Sequence, residues 1–264
     1  MNRHTINQLQ GTTYVPINKG IVTSVPADID LYLWSDQHFG AVECNYPLAK
    51  AVIKEIQENT KARVIMGGDT IEAIPRGYKI DDRGQDTPPD AQIVLAGKYL
   101  KPIARKMLCL FKGNHNTNAR GESIDSDFLL AELLGVPYKT VPTVIQLKTP
   151  KGTIRVAGGH GKSSAKNGDI ELQHLREVFP GCSIYFLGHN HMLYVKHVGA
   201  LGYDEQGEER WDDAYFVRTG NCLNYAEYAR FAMYSPQRSG CVKFTIRGGE
   251  IRDGEILISS NFGL

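Results

Sequence analysis

The sequence lacks the features that would place it at a membrane or outside the cell. No stretch approaches the roughly 18 consecutive apolar residues that a membrane-spanning helix needs. The first ten residues, MNRHTINQLQ, contain no apolar core of a secretory signal. We therefore expect neither a membrane partner nor export.

The sequence also has no excess of positive or negative charge. The chain has 30 Lys and Arg against 29 Asp and Glu, which gives a formal net charge of +1. Composition alone therefore provides no case for general binding to nucleic acid. The five cysteines are odd in number, far apart and never in a C-x-x-C pair, a usage typical of a reduced cytoplasmic protein.

What the chain does have is the composition of a globular protein, with 42% hydrophobic and 22% charged residues. It shows no internal repeat, low-complexity tract or linker, and we expect one domain over residues 1–264. Apolar runs that stop at a polar residue predict buried strands. These runs are residues 30–36, 63–69, 106–114, 153–160 and 182–191.

Helices are predicted between the early strands, because apolar residues there recur at helical spacing. The helices are 46–59, 88–104 and 126–135, the last beginning at the N-cap Ser126 and ending at Gly135. Paired strands are predicted later, over 141–159, 192–221 and 241–259. This order favours an α+β fold with two stacked sheets and helices outside them.

Polar side chains follow the five apolar runs at the point where each run stops. They are Asp36 with His38, Asp69, Asn114 with His115, His160, and His189 with His191. Residues at the carboxyl ends of neighbouring strands converge on one crevice, so we expect these side chains to meet.

Carboxylates, imidazoles and an amide oxygen together suit two divalent ions, such as Mn, Fe, Zn or Ni, and the absence of cysteine argues against a structural zinc site. Two such ions beside Asp36 and Asp69 leave a formal charge of about +2. The predicted site would therefore prefer an anionic substrate.

The motifs DQH (36–38), GGD (67–69), GNHN (113–116), GGHG (158–161) and GHNH (188–191) stand in this order along the chain. The pattern resembles the calcineurin-like metallophosphoesterase superfamily over residues 30–195. The resemblance implies a four-layer αββα sandwich of two mixed sheets flanked by helices. Residues 218–240 also look like the closing segment of phage and prophage members, which would place the protein in a host cytoplasm.

The resemblance implies a role for each motif residue. Asp36, His38 and His191 would bind one metal ion. Asn114, His160 and His189 would bind the other, and Asp69 would bridge the two. Mn²⁺ is the favoured ion, with Fe, Zn, Ni or Mg as alternatives. A hydroxide bridging the ions would attack phosphorus in line, and His115 would act as general acid.

The substrate is expected to be a phosphate ester, most readily a phosphodiester of a nucleotide or nucleic acid. The alternatives are a phosphomonoesterase acting on nucleotides or proteins, and a catalytically silent metal-binding scaffold. Candidate substrate contacts are Arg76 and Tyr78 in the long loop 74–89, Arg120, and Lys162. An ordinary charged loop and a solvated lysine are the competing interpretations.

One residue departs from the family pattern. Relatives commonly carry an acidic residue just after G-N-H, where this chain has Asn116. An amide can hold the ring of His115 by a hydrogen bond, but it cannot stabilise an imidazolium by charge. A carboxylate such as Glu122, Asp125 or Asp127 is the candidate that would have to substitute for that charge in space.

Overall fold

A computed structural model describes residues 11–73, 85, 87–115, 125–163, 167–203, 206–225, 233 and 235–264. The strands are β1 (Ile21–Ser24), β2 (Ile29–Trp34), β3 (Ala62–Met66), β4 (Met107–Phe111), β5 (Tyr138–Lys139), β6 (Thr143–Thr149), β7 (Gly152–Gly159), β8 (Ile184–Leu187), β9 (Leu193–Tyr203), β10 (Glu209–Thr219), β11 (Gly240–Arg247) and β12 (Glu250–Ile258). The helices are α1 (Tyr46–Glu58), α2 (Pro89–Leu100), α3 (Ser126–Leu134) and α4 (Asp169–Val178).

The strands form two six-stranded mixed sheets. Sheet A has the order β12-β11-β2-β3-β4-β5, in which β2 to β5 are parallel and β11 runs antiparallel to β2 and β12. Sheet B has the order β1-β6-β7-β8-β10-β9, in which β7, β8 and β10 are parallel. The three predicted strand pairs are confirmed as antiparallel ladders, β6 with β7, β9 with β10 and β11 with β12.

Alternating side chains on each strand produce the layers. In β2, Tyr32 and Trp34 pack with the helices α1 to α3, whereas Leu31 and Leu33 pack between the sheets. In β8, Tyr185 faces α4 on the other outer surface. Because a strand presents successive residues to opposite faces, the chain forms helix, sheet, sheet and helix layers. The predicted α+β sandwich is confirmed.

The ends of the helices follow from local chemistry, with one correction. The predicted N-cap Ser126 is wrong. Asp125 is the cap, and its carboxylate accepts from the backbone N–H of Phe128 at 3.1 Å, while Ser126 is the first helical residue. Gly135 ends α3 with φ of 67°, as predicted, because glycine tolerates this left-handed conformation.

The helix predicted over 88–104 is shorter than expected. It ends at Leu100 and continues as a 3₁₀ turn, Lys101–Lys106. Pro102 has no backbone N–H to extend the α-helical ladder. Helix α4 and the short strands β1 and β5 were not anticipated, because each has too few apolar residues to show a period.

All five cysteines are buried with free thiols. No helix in the described part of the chain has the length and apolar character that crossing a membrane requires.

Candidate metal centre

The strand ends bring the predicted ligands together. Parallel strands β2, β3 and β4 end at one edge of sheet A, and β7 and β8 end at the facing edge of sheet B. The loops that follow these five strands carry Asp36, His38, Asp69, Asn114, His115, His160, His189 and His191. The structure therefore places every predicted ligand, and His115, in one cluster.

One half of the cluster contains Asp36, His38 and His191, whose donor atoms all lie within 4.8 Å of one another. The Nε2 atoms of the two histidines are 3.2 Å apart, and the Asp36 Oδ1 atom is 3.5 Å from His191 Nε2. Two donors at right angles around an ion with bonds near 2.1 Å would be about 3 Å apart. This spacing and chemistry fit a divalent ion.

The other half contains Asp69, His160 and His189, again within 4.8 Å of one another. The Nε2 atom of His160 is 3.0 Å from Asp69 Oδ2 and 2.8 Å from Asn114 Oδ1. His189 Nδ1 is 2.7 Å from the same amide oxygen. Two imidazoles, a carboxylate and an amide oxygen thus converge on a second point that fits a divalent ion.

Asp69 lies between the two halves. It forms one donor group with His160 and His189 and another with His38 and His115. Its Oδ1 atom also accepts from the backbone N–H of His115 at 2.9 Å. A carboxylate in this position can face both predicted ions.

The backbone at the centre is strained. Left-handed conformations are uncommon for residues other than glycine, and they cluster at functional sites. Five candidate ligands adopt positive φ angles between 50° and 70°, namely Asp36, His38, Asp69, His189 and His191. Such strain persists only where the surrounding structure enforces it, and here it is concentrated in the donor cluster.

The glycines of the motifs have a steric origin. A Cβ atom on Gly113 would lie 1.9 Å from Asp69 Oδ1, and one on Gly188 would lie 2.5 Å from Asp36 Oδ2. Any side chain at either position would displace a carboxylate of the centre. The G-N-H and G-H-x-H motifs therefore need glycine for close approach.

Backbone carbonyls orient two of the imidazoles. Nδ1–H of His160 donates to the Gly67 carbonyl at 2.9 Å, and Nδ1–H of His115 donates to the Glu72 carbonyl at 2.6 Å. The Nε2 atoms of both rings consequently face the cluster. Fixing one ring nitrogen in this way is the usual means of presenting the other for metal binding or proton transfer.

Charges in the cluster shift its pKa values in opposite directions. Burial disfavours charge on His38 and His160, but nearby carboxylates outweigh burial and raise the pKa of His38 to about 9 and that of His160 to about 10. Glu72 dominates at His38 and Asp69 at His160. Burial, reinforced by neighbouring histidines, lowers the pKa of His189 and lowers that of His191 to about 4.

No protein-family model matches the chain, and no curated protein matches it. Matching solved structures include Vps29 from Cryptosporidium parvum, at 14% identity and a TM-score of 0.46, with 88% of this chain and 99% of that chain covered. They also include Vps29 complexed with Zn²⁺ from Entamoeba histolytica, at 13% identity and a TM-score of 0.45, with 87% of this chain and 99% of that chain covered. A third is a predicted phosphoesterase from Streptococcus pneumoniae TIGR4, at 11% identity and a TM-score of 0.38, with 88% of this chain and 98% of that chain covered. None of these is similar enough to assign a family, so the chemistry of the centre rests on its own side chains.

Glu72 is a buried carboxylate of the site that the sequence did not single out. Its Oε2 atom is 2.7 Å from Nδ1 of His38 and 3.8 Å from Nδ1 of His115. Burial opposes its ionisation, but His38 and His115 outweigh burial and lower its pKa. Glu72 thus supplies the negative charge expected from another residue.

The carboxylates proposed to replace an acidic residue at position 116 have other partners. Asp125 caps α3 and accepts from the Tyr138 hydroxyl at 2.6 Å. Asp127 accepts from the backbone N–H of Gly113 at 2.8 Å, so it supports the loop after β4. We find no contact of either with His115 among the described residues. Glu122 and Asn116 lie outside the described residues.

Three of the four predicted substrate contacts, Arg76, Tyr78 and Arg120, also lie outside the described residues. Lys162 is exposed, two residues after His160, and it lines an open cleft beside the centre. Its backbone N–H donates to Glu171 Oε1 at 2.8 Å.

Proposed function

We propose that this protein is a dinuclear metal-dependent phosphoesterase that favours phosphodiesters of nucleotides or nucleic acid. The observation that carries the proposal is the convergence of all seven predicted ligands into the two halves of one cluster, with five of them in strained left-handed conformations. The order of the five motifs, which resembles the calcineurin-like superfamily, supports the same reaction class. The phage-like character of residues 218–240 supports a nucleic acid or nucleotide substrate.

The donor set supports one assignment of the metal ligands. Asp36, His38 and His191 would hold one ion, and Asn114, His160 and His189 the other, with Asp69 between them. Mn²⁺ is the favoured ion, because imidazole mixed with carboxylate and amide oxygen suits it. When bound, two divalent ions supply a hydroxide nucleophile at neutral pH and positive charge for the phosphoryl oxygens.

His115 is the proposed general acid. Its Nδ1–H is held by the Glu72 carbonyl, so Nε2 faces the cluster, 3.9 Å from Asp69 Oδ2. From Nε2 a proton can pass to the oxygen that leaves phosphorus. The ring is about one-quarter exposed, which leaves it open to a substrate. General acid catalysis of this kind typically contributes about 10²- to 10⁴-fold.

A formal charge count favours a diester over a monoester. Two divalent ions, the three carboxylates of Asp36, Asp69 and Glu72 and the hydroxide nucleophile leave a formal charge of about 0, in which Glu72 adds a charge that the sequence count omitted. A phosphodiester carries one negative charge and a phosphomonoester close to two. The diester therefore comes nearer to balancing the centre.

The test is hydrolysis of bis-p-nitrophenyl phosphate by the Mn²⁺-loaded chain, with p-nitrophenyl phosphate as the monoester. We expect activity on both, a higher kcat/KM for the diester, and loss of activity with a chelator or in Asp69→Ala. Asp253→Ala, which changes an exposed carboxylate on β12, is the matched control and should remain active.

Each alternative has its own outcome in this test. Higher kcat/KM on the monoester would favour a phosphomonoesterase. Stoichiometric metal binding without turnover of either ester would favour a silent scaffold. Turnover that survives both the chelator and Asp69→Ala would contradict the proposed reaction altogether.

A further inference from the structure

An open cleft of about 430 Å³ adjoins the metal centre on the side of His160. It lies between α4, the end of β4 and the connection from β5 to β6. Small-molecule sites in proteins typically occupy about 300–1,000 Å³, so the cleft is large enough for part of a substrate.

The walls of the cleft are mainly apolar. Leu187 and Phe111 are almost completely buried, whereas Val178 is 67% exposed. The cleft thus has a closed inner side and a solvent-exposed entrance, unlike a packing void. Its apolar lining consists of Phe111, Val141, Pro142, Leu175, Val178, Phe179 and Leu187.

His160 belongs to both the cleft and the metal centre. It lines the cleft, and its Nε2 atom is 2.8 Å from Asn114 Oδ1 and 3.0 Å from Asp69 Oδ2. A molecule held at the centre through its phosphate can therefore extend past one imidazole ring into the cleft.

The cleft carries charges of both signs beside its apolar walls. Glu171, Lys112 and Lys162 line it together with Thr140 and His174, and the Lys112 Nζ atom is paired with Asp125 Oδ2 at 3.0 Å. Glu171 is fixed in place, because Arg218 Nη2 lies 3.1 Å from Oε2 and the Lys162 N–H donates to Oε1. The apolar walls thus remain the surface that suits an uncharged group extending from a phosphate at the centre.

His115 is not among the residues that line the cleft. If His115 protonates the departing oxygen, the leaving group lies on the side of phosphorus that faces His115. The cleft then adjoins the other substituent, which stays on phosphorus after the reaction. Only a diester, or a phosphonate monoester that imitates one, has such a substituent.

We propose that this cleft binds an aromatic ring carried by the retained substituent of a phosphodiester. The inference rests on the proposed function and deepens it. Water supplies the incoming oxygen, the P–O bond to the leaving group breaks with its electron pair, and the ring stays attached to phosphorus in the product.

The experiment compares p-nitrophenyl phenylphosphonate with p-nitrophenyl methylphosphonate, which share a leaving group and differ in the retained one. Calorimetry of the Mn²⁺-loaded chain with phenylphosphonate and methylphosphonate adds a binding readout without turnover. We expect about tenfold tighter binding of phenylphosphonate, the effect of burying roughly 60 Å² of apolar surface. The kcat/KM of p-nitrophenyl phenylphosphonate should likewise be about tenfold higher than that of p-nitrophenyl methylphosphonate.

Two variants narrow the cleft from opposite walls, Val178→Trp on α4 and Val141→Trp before β6. Each should bring the ratio of phenylphosphonate affinity to methylphosphonate affinity close to one and leave methylphosphonate binding unchanged. Ile170→Trp is the matched control, because Ile170 is also exposed on α4 but does not line the cleft. This control should keep the preference.

The outcomes separate the two proposals. Equal affinity for the two phosphonates, or a preference that survives both Trp variants, would overturn the cleft assignment and leave the proposed function standing. Binding of neither phosphonate by a chain that hydrolyses bis-p-nitrophenyl phosphate would also overturn the cleft assignment. Absence of hydrolysis altogether would contradict the proposed function.

Discussion

The Nε2 atoms of His38 and His191 lie 3.2 Å apart, and at neutral pH only one of the two imidazoles is charged. The pKa of His38 is raised to about 9, whereas that of His191 is lowered to about 4. His38 therefore donates a hydrogen bond to His191. In the other half of the centre, His160 donates to Asn114 Oδ1 in the same way. Each half of the centre thus has one proton between donor atoms that could instead share a cation.

This arrangement predicts that metal binding releases protons. His38 and His160 must each lose the Nε2 proton to become ligands, and the pKa values of both are raised above 8. Filling both halves at pH 7 should therefore release about two protons per chain. Calorimetric titration with Mn²⁺ in buffers of different ionisation enthalpy measures this number. The affinity should rise from pH 6 to 8.5, and a pH-independent affinity would contradict the assignment.

The same two histidines predict how the metal-free protein responds to pH. Their pKa values in the folded state exceed the unfolded value near 6.5. Their stabilising contribution is thus fully present below pH 6.5 and is lost as pH rises through 9 to 10. The free energy of unfolding of the metal-free chain should fall over this range. Urea denaturation at pH 7 and pH 9.5 measures the change, and His160→Gln should diminish it.

Replacing Glu72 tests its role as the carboxylate partner of His38 and His115. Glu72→Gln keeps the backbone carbonyl that orients His115 but removes the charge 2.7 Å from His38 Nδ1. Loss of a residue that supports a ligand typically costs about 10- to 100-fold in metal affinity or activity. We expect a loss of this size, and fewer protons released on Mn²⁺ binding because the pKa of His38 falls.

The control for Glu72 is Glu58→Gln, at an exposed position near the end of α1. It should leave metal affinity, activity and proton release unchanged. Wild-type values for all three in Glu72→Gln would show that His38 and His115 do not depend on this carboxylate.

Arg218 is predicted to hold the two histidine loops of sheet B together. The guanidinium is completely buried, donates to the Gly188 and Gly168 carbonyls and contacts Glu171. Glu171 in turn accepts from the Lys162 N–H, so the loops after β7 and β8 share one support. Lysine cannot reproduce this forked geometry.

Arg218→Lys should lower Mn²⁺ affinity while the chain still folds. Arg218→Ala should cost about 3–5 kcal/mol of unfolding free energy, because it leaves Glu171 without its buried partner. Arg247→Lys, at a partly exposed arginine paired with Asp30, is the control for a general effect of this substitution. Unchanged metal affinity in Arg218→Lys would limit Arg218 to a purely structural role.

The sequence predicted that these side chains would meet, because their positions depend on short-range rules. A polar residue directly after a buried strand lies at the sheet edge, whichever residues pair elsewhere. Glu72 was missed because its position depends on two loops pairing side by side. Phe39 N–H donates to the Thr70 carbonyl and Glu72 N–H donates to the Phe39 carbonyl, which brings Glu72 beside His38. No local pattern encodes this contact.

Two further features depended on tertiary structure. Helix α4 buries only Leu172 and Leu175, too few apolar residues to reveal a helical period. The sequence did not single out Arg218, because its contacts with Gly168, Gly188 and Glu171 form only in the folded chain. The outer wall of the cleft therefore could not be predicted from the sequence.

Metal content tests the central claim most directly. The metal-free chain is dialysed against Mn²⁺, freed of excess ion by gel filtration and analysed by inductively coupled plasma mass spectrometry. We predict two ions per wild-type chain and about one in His189→Ala, with one donor group left intact. His197→Ala, at an exposed histidine on β9, should retain two. One ion or fewer per wild-type chain would contradict the dinuclear centre.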